Sequence, residues 1–198
     1  MGAPYVISIN SVSGGGKTAL SELLHESLRS SALFRFDDFD DSNVYPEDYY
    51  EWSMRGSDVS EFDCPGMQEA VVKEIKRGKV EYIVMDYPFG RDHHRFTDMI
   101  DLSVFVDTPL DVAMARRILR DYPDSSETPS DIVLKNLHKD LDYYVRKARY
   151  PYLSTYSRKG SCDLVLDGWM PLEALRREVL GKVREDQDAD EDSVPAAT

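Results

Sequence analysis

The chain has 198 residues, of which 41% are hydrophobic and 11% aromatic, and its formal net charge at pH 7 is −13. This length and composition predict one globular domain with a sizeable core, exclude wholesale disorder, and disfavour DNA or RNA as the main partner. The sequence has no apolar run near the ~20 residues that span a bilayer, no basic leader and only two cysteines, Cys64 and Cys162, so we expect a cytoplasmic protein without membrane anchor, disulfide framework or four-ligand zinc site.

Five short apolar or β-branched runs predict buried strands, at residues 5–9, 32–36, 82–85, 102–106 and 164–166. Between them, apolar residues recur at helical spacing and predict helices, at residues 18–29, 67–77, 108–120, from about 130 onward, and 171–183. Short buried strands that alternate with helices indicate an α/β fold with a parallel sheet. The stretch from 42 to 64 is irregular and aromatic, which is typical of a loop or of short helices around a site.

Residue types at the ends of two predicted helices indicate where these helices begin and stop. Thr108 is the expected N-cap of the helix at 108–120, with Pro109 in its first position and Asp111 in its first turn. Gly78 is the expected residue just beyond the helix at 67–77, because glycine adopts the left-handed conformation that ends many helices.

The end of the chain is acidic. Residues 184–198 hold six acidic side chains against the single Arg184, and Pro195 lies among them. This composition predicts a solvated, disordered tail beyond a single domain at residues 1–183, with an acidic interaction segment as the alternative. The rest of the chain is also acidic, so a site for an anionic ligand must gather its positive charge at one place.

The segment SVSGGGKT at residues 11–18 matches the phosphate-loop pattern G-x-x-x-x-G-K-[ST] at every fixed position but the first, where Ser11 replaces glycine. Glycines let successive backbone amides converge on phosphates, Lys17 reaches the β- and γ-phosphates, and the Thr18 hydroxyl binds Mg²⁺. The following helix directs its positive dipole end at the anion. We therefore predict a site for ATP and Mg²⁺ formed by Ser13, Gly14, Gly15, Gly16, Lys17, Thr18 and Ala19.

Carboxylates follow two of the predicted strands. Asp86 comes directly after the strand at 82–85 and is the expected second ligand of Mg²⁺, with capping of the next turn as the alternative. Asp37 follows the strand at 32–36, and the carboxyl ends of adjacent parallel strands open onto one crevice. Asp37 is therefore the expected base that accepts the proton of an attacking hydroxyl, with its neighbours Asp38, Asp40 and Asp41 as alternatives for the inward-facing carboxylate.

Three arginines, Arg116, Arg117 and Arg120, lie within a sector of about 100° on one predicted helix. Arginine binds phosphate oxygens in a bidentate manner, and a polar segment follows this helix. The pattern favours a lid that covers the transferring phosphoryl group, and it supplies the concentrated positive charge that an acidic chain requires.

The segments FVDTP at 105–109 and ARRILRD at 115–121 resemble the lid region of uridine kinases. The phosphate loop, DDF at 37–39 and FDCP at 62–65 follow in the order of that family's phosphate loop, catalytic Asp and ribose-holding segment, and CDLVLDG at 162–168 resembles its last strand and adenine-side loop. The resemblance covers about residues 5–168. It implies a P-loop NTPase fold, a three-layer sandwich with a five-stranded, mostly parallel sheet and a helical, arginine-bearing lid at about 110–135.

This resemblance also implies an activity, the transfer of the γ-phosphoryl group of Mg·ATP to a hydroxyl of a nucleoside or another small hydroxylated metabolite. Asp37 would be the general base and Asp63 would hold substrate hydroxyls. The arginines would contact phosphates, so that Lys17, Arg116 and Arg120 join Asp37 as catalytic residues, and Arg116 and Arg117 help to bind ATP.

The sequence departs from this family in two places. Only residues 66–81 separate the FDCP segment from the strand at 82–85, where uridine kinases have a long insertion that reads the base. Asp86-Tyr87 stands where Glu-Gly is usual. Other residues are therefore expected to line the acceptor pocket, and the candidates are Tyr45, Tyr49, Trp52, Arg91, His93, His94 and Arg95.

Two alternatives to a kinase stay open. A GTPase-like switch would use an Asp-x-x-Gly segment, which Asp63–Gly66 matches formally, but the sequence has no guanine-reading Asn-Lys-x-Asp. A kinase homologue that binds nucleotide without catalysis is the second alternative, because Ser11 departs from the phosphate-loop pattern. A homo-oligomer is compatible with the sequence.

Overall fold

Five parallel strands form the centre of the protein in a computed structural model, which describes residues 2–123 and 129–193. The strands are β1 (Tyr5–Asn10), β2 (Ser31–Arg35), β3 (Tyr82–Asp86), β4 (Leu102–Asp107) and β5 (Leu164–Asp167). Their order across the sheet is β2-β3-β1-β4-β5, and each neighbouring pair is parallel. The predicted α/β fold is confirmed, and each strand begins and ends within one residue of its predicted bounds.

Helices cover both faces of this sheet. Within the described ranges they are α1 (Lys17–Ser27), α2 (Tyr49–Met54), α3 (Pro65–Arg77), α4 (Leu110–Asp121), α5 (Ser130–Tyr143), α6 (Arg149–Ser157) and α7 (Leu172–Ser193). A π-helical turn, Tyr144–Ala148, joins α5 to α6. The helix predicted to start near 130 therefore continues, through this turn, to Ser157.

Alternate residues of β1 face opposite layers of the fold. Val6 belongs to an apolar cluster with Val71 of α3, whereas Ile7 belongs to a second cluster with Leu24 of α1 and Val179 of α7. Successive side chains of a strand point to opposite faces of its sheet. Because both faces of β1 are buried in this way, the strand carries no exposed polar face, and the three-layer sandwich is confirmed.

The carboxyl ends of the parallel strands bring the predicted functional segments to one edge of the sheet. The phosphate loop follows β1, Asp86 is the last residue of β3, and Asp37 lies in the short 3₁₀ segment Phe36–Ser42 after β2. Thr108 follows β4 at the same edge. Ligand sites in open α/β sheets occupy this edge.

One predicted helix end is confirmed and one helix start is wrong. Gly78 follows α3 with a φ of 59°, in the left-handed region. In contrast, α4 begins at Leu110 with Pro109 as its N-cap. Thr108 lies one position before this cap, and its hydroxyl donates to the Gly15 carbonyl at 2.7 Å.

The final helix is longer than predicted. The segment expected to be disordered from Arg184 onward is helical as far as Ser193, and residues 194–198 lie outside the described residues. Two contacts explain the continuation of α7. The Tyr5 hydroxyl donates to Asp186 at 2.6 Å, and the ammonium of Lys182 pairs with the same carboxylate at 2.8 Å.

Two further expectations concern the lid and the membrane. Of the lid predicted at about 110–135, the structure describes α4 and the start of α5, whereas residues 124–128 lie outside the described residues. None of the described helices combines the length and the apolar character required to cross a bilayer.

Candidate active site

The phosphate loop is pressed against α4, and two of its glycines are required for this approach. Gly14 has a φ of +79°, and a side-chain carbon there would stand 2.2 Å from the carbonyl oxygen of Ala113. A side-chain carbon on Gly15 would stand 1.8 Å from the hydroxyl oxygen of Ser11. Such distances exclude any side chain at either position, so the loop backbone can only be built here from glycine.

Ser11, the departure from the phosphate-loop pattern, has a structural explanation. Its side chain is buried, and its hydroxyl donates to the Val106 carbonyl at 2.8 Å. The hydroxyl therefore ties the start of the loop to the end of β4 and fills the space beside Gly15. The loop keeps its glycine-dependent shape although the first glycine of the pattern is absent.

Backbone amides are available where α1 begins. The first intrahelical hydrogen bond runs from the Leu20 amide to the Gly16 carbonyl at 3.1 Å. The preceding amides of Lys17, Thr18 and Ala19 belong to the first helical turn and have no acceptor within the helix. They form, with the dipole of α1, the anion-binding end that the sequence predicts.

Asp86 joins the two residues that end the phosphate-loop pattern. It accepts a hydrogen bond from the Thr18 hydroxyl at 2.6 Å through Oδ2, and the ammonium of Lys17 lies 3.4 Å from its Oδ1. Only 3% of Asp86 is exposed, and Oδ1 accepts no hydrogen bond from the described residues.

A buried carboxylate oxygen without a hydrogen bond, beside a hydroxyl, fits a magnesium ion. Mg²⁺ prefers oxygen ligands and is held by one or two carboxylates together with substrate phosphates and waters. No cluster of three or more acidic, histidine or cysteine side chains suited to a metal occurs among the described residues. Thr18 and Asp86 thus provide the small number of protein ligands that such a site requires.

The opposite side of the phosphate loop is closed by the ends of β4 and β5. Thr108 contacts Gly15 and also restricts the loop after β5, since a side-chain carbon on Gly168 would stand 2.0 Å from its hydroxyl oxygen. Arg116 of α4 donates to the Gly168 carbonyl at 3.4 Å. This arrangement places Arg116 beside Gly16, where a side-chain carbon would be 4.0 Å from its guanidinium.

The three arginines of α4 lie in three different environments. Arg116 contacts the loop after β5, as described above. Arg117 donates from Nη1 to the hydroxyl of Tyr152, and its Nε lies 3.3 Å from Asp121. Arg120 has 63% of its side chain exposed and pairs with Asp121 at 2.8 Å. The structure thus brings Arg116 and Arg117 to the phosphate loop but directs Arg120 toward solvent.

A cavity of about 550 Å³ adjoins the phosphate loop on the side of β2 and β3. Lys17, Ser13, Asp37 and Asp40 are among its lining residues. The rest of the lining is mainly aromatic and forms two walls, the first from residues 36–62 and the second from residues 143–155. Their aromatic side chains include Tyr45, Tyr49, Trp52, Phe62, Tyr143 and Tyr152.

The two carboxylates in the cavity lining, Asp37 and Asp40, have different environments. Asp40 accepts a hydrogen bond from the hydroxyl of Tyr45. Burial, together with this bond to a carboxylate, raises the pKa of Tyr45 to about 12, so the phenol keeps its proton and remains a donor at neutral pH. Asp37 is exposed and lines the same cavity as Lys17.

Asp63, expected to hold substrate hydroxyls, lies outside the lining of this cavity. Both of its carboxylate oxygens accept hydrogen bonds from Arg95, one of them at 2.8 Å. These hydrogen bonds hold the pKa of Asp63 below its usual range. The carboxylate is engaged by a neighbouring cation, and Arg95 is likewise directed at Asp63 rather than at an acceptor.

His93 is fully buried and also lies outside the cavity lining. Its Nε2 donates to the Phe62 carbonyl at 2.8 Å, since a carbonyl can only accept. Burial lowers the pKa of this imidazole and keeps it neutral. His93 therefore supports the cavity through Phe62 and does not itself face an acceptor.

Arg91 lies at the other end of the sheet. Its guanidinium donates to the carbonyl of Ile100 at 2.9 Å and pairs with Asp163 at 2.5 Å. Both partners precede strands, so they lie at the amino ends of β4 and β5, opposite the phosphate loop. The expectation that Arg91 lines the acceptor pocket is therefore corrected, because the parallel strands separate it from that edge.

The second wall of the cavity was missed by sequence reasoning. Tyr143, Ala148, Pro151, Tyr152 and Thr155 line it, and they come from the end of α5, the π-helical turn and α6. A π-helical turn is frequently found at functional sites. The available signal was the aromatic and proline content of residues 143–156, which is unusual for a solvated helix.

The chain is similar in sequence to uridine kinases. No family model matches the chain. The chain is 27% identical over 158 residues to a uridine kinase of Lactiplantibacillus plantarum, a match that covers 66% of the chain and 74% of that protein. It is 23% identical over 166 residues to a uridine kinase of Brevibacillus brevis, covering 70% and 76% respectively.

A solved structure, TT1252 from Thermus thermophilus, has the same fold with a TM-score of 0.51 at 15% identity, and the match covers 92% of the chain and 98% of that protein. The chain has the P-loop α/β fold, and its similarity to uridine kinases supports a small-molecule kinase.

Proposed function

We propose that the protein transfers the γ-phosphoryl group of ATP to a hydroxyl group of a small acceptor that occupies the aromatic cavity. The observation that carries this proposal is the position of the cavity. It opens directly beside Lys17, and Asp37 lines it. A donor phosphate and an acceptor hydroxyl would therefore meet at one point, as in-line phosphoryl transfer requires.

The donor half of the reaction belongs to the phosphate loop. The amides at the start of α1 and the ammonium of Lys17 would bind the phosphates of ATP, with Arg116 and Arg117 beside them. Thr18 and Asp86 would hold Mg²⁺. A bound magnesium ion would neutralise charge on the β- and γ-phosphate oxygens.

The acceptor half belongs to Asp37 and the aromatic wall. Asp37 would accept the proton of the attacking hydroxyl, since it is exposed and lines the cavity, whereas the other lining carboxylate, Asp40, accepts a hydrogen bond from Tyr45. Rings such as those of Tyr49 and Phe62 bury flat or apolar surface of the acceptor. Asp40, bonded to Tyr45, lies where a second hydroxyl of the acceptor would find a carboxylate.

The named relatives are uridine kinases, which supports a nucleoside or a similar hydroxylated compound as the acceptor. The residues that read the acceptor differ from the sequence expectation, because Asp63, Arg91 and His93 are engaged elsewhere. The acceptor would instead be recognised by the two aromatic walls and by Asp37 and Asp40.

A coupled ADP-release assay over nucleosides, nicotinamide riboside, pantothenate and sugar alcohols tests this proposal. We expect one class of acceptor to raise ADP release well above the rate without acceptor. Lys17→Ala should abolish this stimulation, by about 100-fold or more, because the ammonium stabilises the transferring phosphoryl group. Stimulation that survives in Lys17→Ala would contradict the assignment of the phosphate loop, and ATP binding without any stimulation would favour a nucleotide-binding homologue.

A further inference from the structure

Arg117 and Tyr152 connect the phosphate loop to the second wall of the cavity. Of the three α4 arginines, Arg117 is the one whose described contacts include a residue of the cavity lining, Tyr152. Its side chain is 23% exposed, compared with 63% for Arg120. Arg117 is therefore held inside the protein, at the place where α4 and α6 approach each other.

The backbone of Arg117 is fixed against the phosphate loop. Its amide nitrogen lies 3.4 Å from the point where a side-chain carbon on Gly14 would stand, one turn beyond the Ala113 carbonyl that touches the same glycine. The loop and this turn of α4 are thus in direct contact. The remaining freedom of Arg117 is the direction in which its long side chain points.

Tyr152 fixes that direction. Its hydroxyl accepts a hydrogen bond from Nη1 of Arg117, and the guanidinium carbon lies 5.7 Å from the centre of its ring, within range of a cation–π contact. The ring of Tyr144 packs edge-on against that of Tyr152 at 5.5 Å and restrains it. Asp121 binds Nε of the same guanidinium at 3.3 Å.

Within the described part of the chain, Nη2 of this guanidinium has no hydrogen-bond acceptor and can therefore meet an anion. A guanidinium carries five N–H groups in a planar fork, and Tyr152 and Asp121 use those on Nη1 and Nε. Tyr152 lines the same cavity as Lys17 and Ser13. The guanidinium therefore lies beside the wall that Tyr152 contributes to this cavity.

We propose that Tyr152 is a positioning residue that orients Arg117 toward the γ-phosphate of the bound nucleotide. The inference rests on the proposed function for the site it belongs to. Tyr152 itself touches the arginine and the acceptor cavity, and it acts on the phosphates through Arg117. If Tyr152 only filled space, removal of its hydroxyl would leave nucleotide binding unchanged.

The test is the preference of the protein for a triphosphate over a diphosphate, measured without acceptor. Isothermal titration gives the dissociation constants of Mg²⁺-bound adenylyl imidodiphosphate and of Mg²⁺-bound ADP, and their ratio cancels any loss of folded protein. We expect tighter binding of the triphosphate analogue by the wild type. Tyr152→Phe, which keeps the ring, should reduce this preference about fivefold or more, as loss of a hydrogen bond to a charged group implies.

Three variants complete the experiment. Arg117→Lys should reduce the preference to a similar extent, and the double variant with Tyr152→Phe should lose little more, because both changes remove one interaction. Tyr144→Phe is the matched control: its ring contacts Tyr152, and the structure records no hydrogen bond between its hydroxyl and Arg117. It should keep the wild-type preference.

Several results would overturn the inference. They are an unchanged preference in Tyr152→Phe, an equal loss in Tyr144→Phe, losses that multiply in the double variant, and a wild type without preference for the triphosphate. Because no acceptor is present, the outcome is independent of the ADP-release assay. The expected ratios in a protein that no acceptor stimulates would support the role of Tyr152 and contradict the proposed function.

Discussion

The hydroxyl of Thr18 and the carboxylate of Asp86 lie 2.6 Å apart although 68 positions separate them in the chain. Thr18 lies in the first turn of α1, which follows β1. Asp86 is the last residue of β3, the strand beside β1 in the sheet. Parallel pairing of β1 and β3 therefore brings together the two oxygen ligands that we propose for magnesium. The second carboxylate oxygen accepts no hydrogen bond from the described residues and would be available to the ion.

Asp86→Asn tests this relationship, because the amide keeps the shape of the carboxylate and loses its charge. Affinity for adenylyl imidodiphosphate in magnesium should fall about tenfold or more, since a charged ligand of the ion is lost. Without magnesium, in the presence of a chelator, the variant should bind the analogue at least as tightly as the wild type. Titration calorimetry in both buffers distinguishes these effects, and an equal loss of affinity in both would exclude a metal role for Asp86.

The buried neutral imidazole of His93 makes stability depend on pH. Its pKa is lowered in the folded protein below the ordinary value of 6.5, so the unfolded chain binds a proton first as the pH falls. This contribution is fully present above pH 6.5 and is lost below it, by up to about 1.4 kcal/mol per pH unit. Urea unfolding at pH 7.5 and 5.5 should show a smaller loss of stability for His93→Gln than for the wild type.

Glutamine serves here because its amide can donate to the Phe62 carbonyl and does not titrate. His138→Gln is the control, since His138 is exposed on α5. It should retain the pH dependence of the wild type. An identical pH dependence in all three proteins would show that His93 does not control acid stability.

The contact of Tyr5 with the last turns of α7 should contribute to the stability of the protein. Its hydroxyl donates to Asp186, a contact between residues 181 positions apart. Tyr5→Phe should lower the free energy of unfolding by about 1 kcal/mol, the usual contribution of one hydrogen bond. The melting temperature should then fall by about 2–4 °C, measured by calorimetry. An unchanged melting temperature would indicate that residues beyond 183 do not pack on the sheet.

Features encoded by short segments could be predicted from the sequence. The phosphate loop depends on glycines and on Lys17-Thr18, which are adjacent in the chain, and the parallel sheet follows from alternating apolar runs. Asp86 could be placed because strand ends meet at one edge. In physical terms, each of these features depends on local pattern or on the general geometry of parallel sheets.

Features that depend on packing between distant segments were missed. The acidic composition of residues 184–193 indicates disorder, but contacts with Tyr5 and Lys182 outweigh it. Arg91 and His93 carry suitable chemistry, yet their neighbours Asp163 and Phe62 engage them away from the cavity. The wall formed by α6 could not be foreseen because its position depends on contacts with α2, about a hundred residues earlier.

The most direct test of the central claim is phosphoryl transfer by Asp37→Asn to the acceptor found by ADP release. We expect affinity for adenylyl imidodiphosphate within about threefold of the wild type and a fall in transfer of about 100-fold or more, because the proton acceptor is lost. Asp38→Asn, which alters a carboxylate outside the cavity lining, should transfer at the wild-type rate. Wild-type transfer by Asp37→Asn would contradict the account and assign the proton to another group.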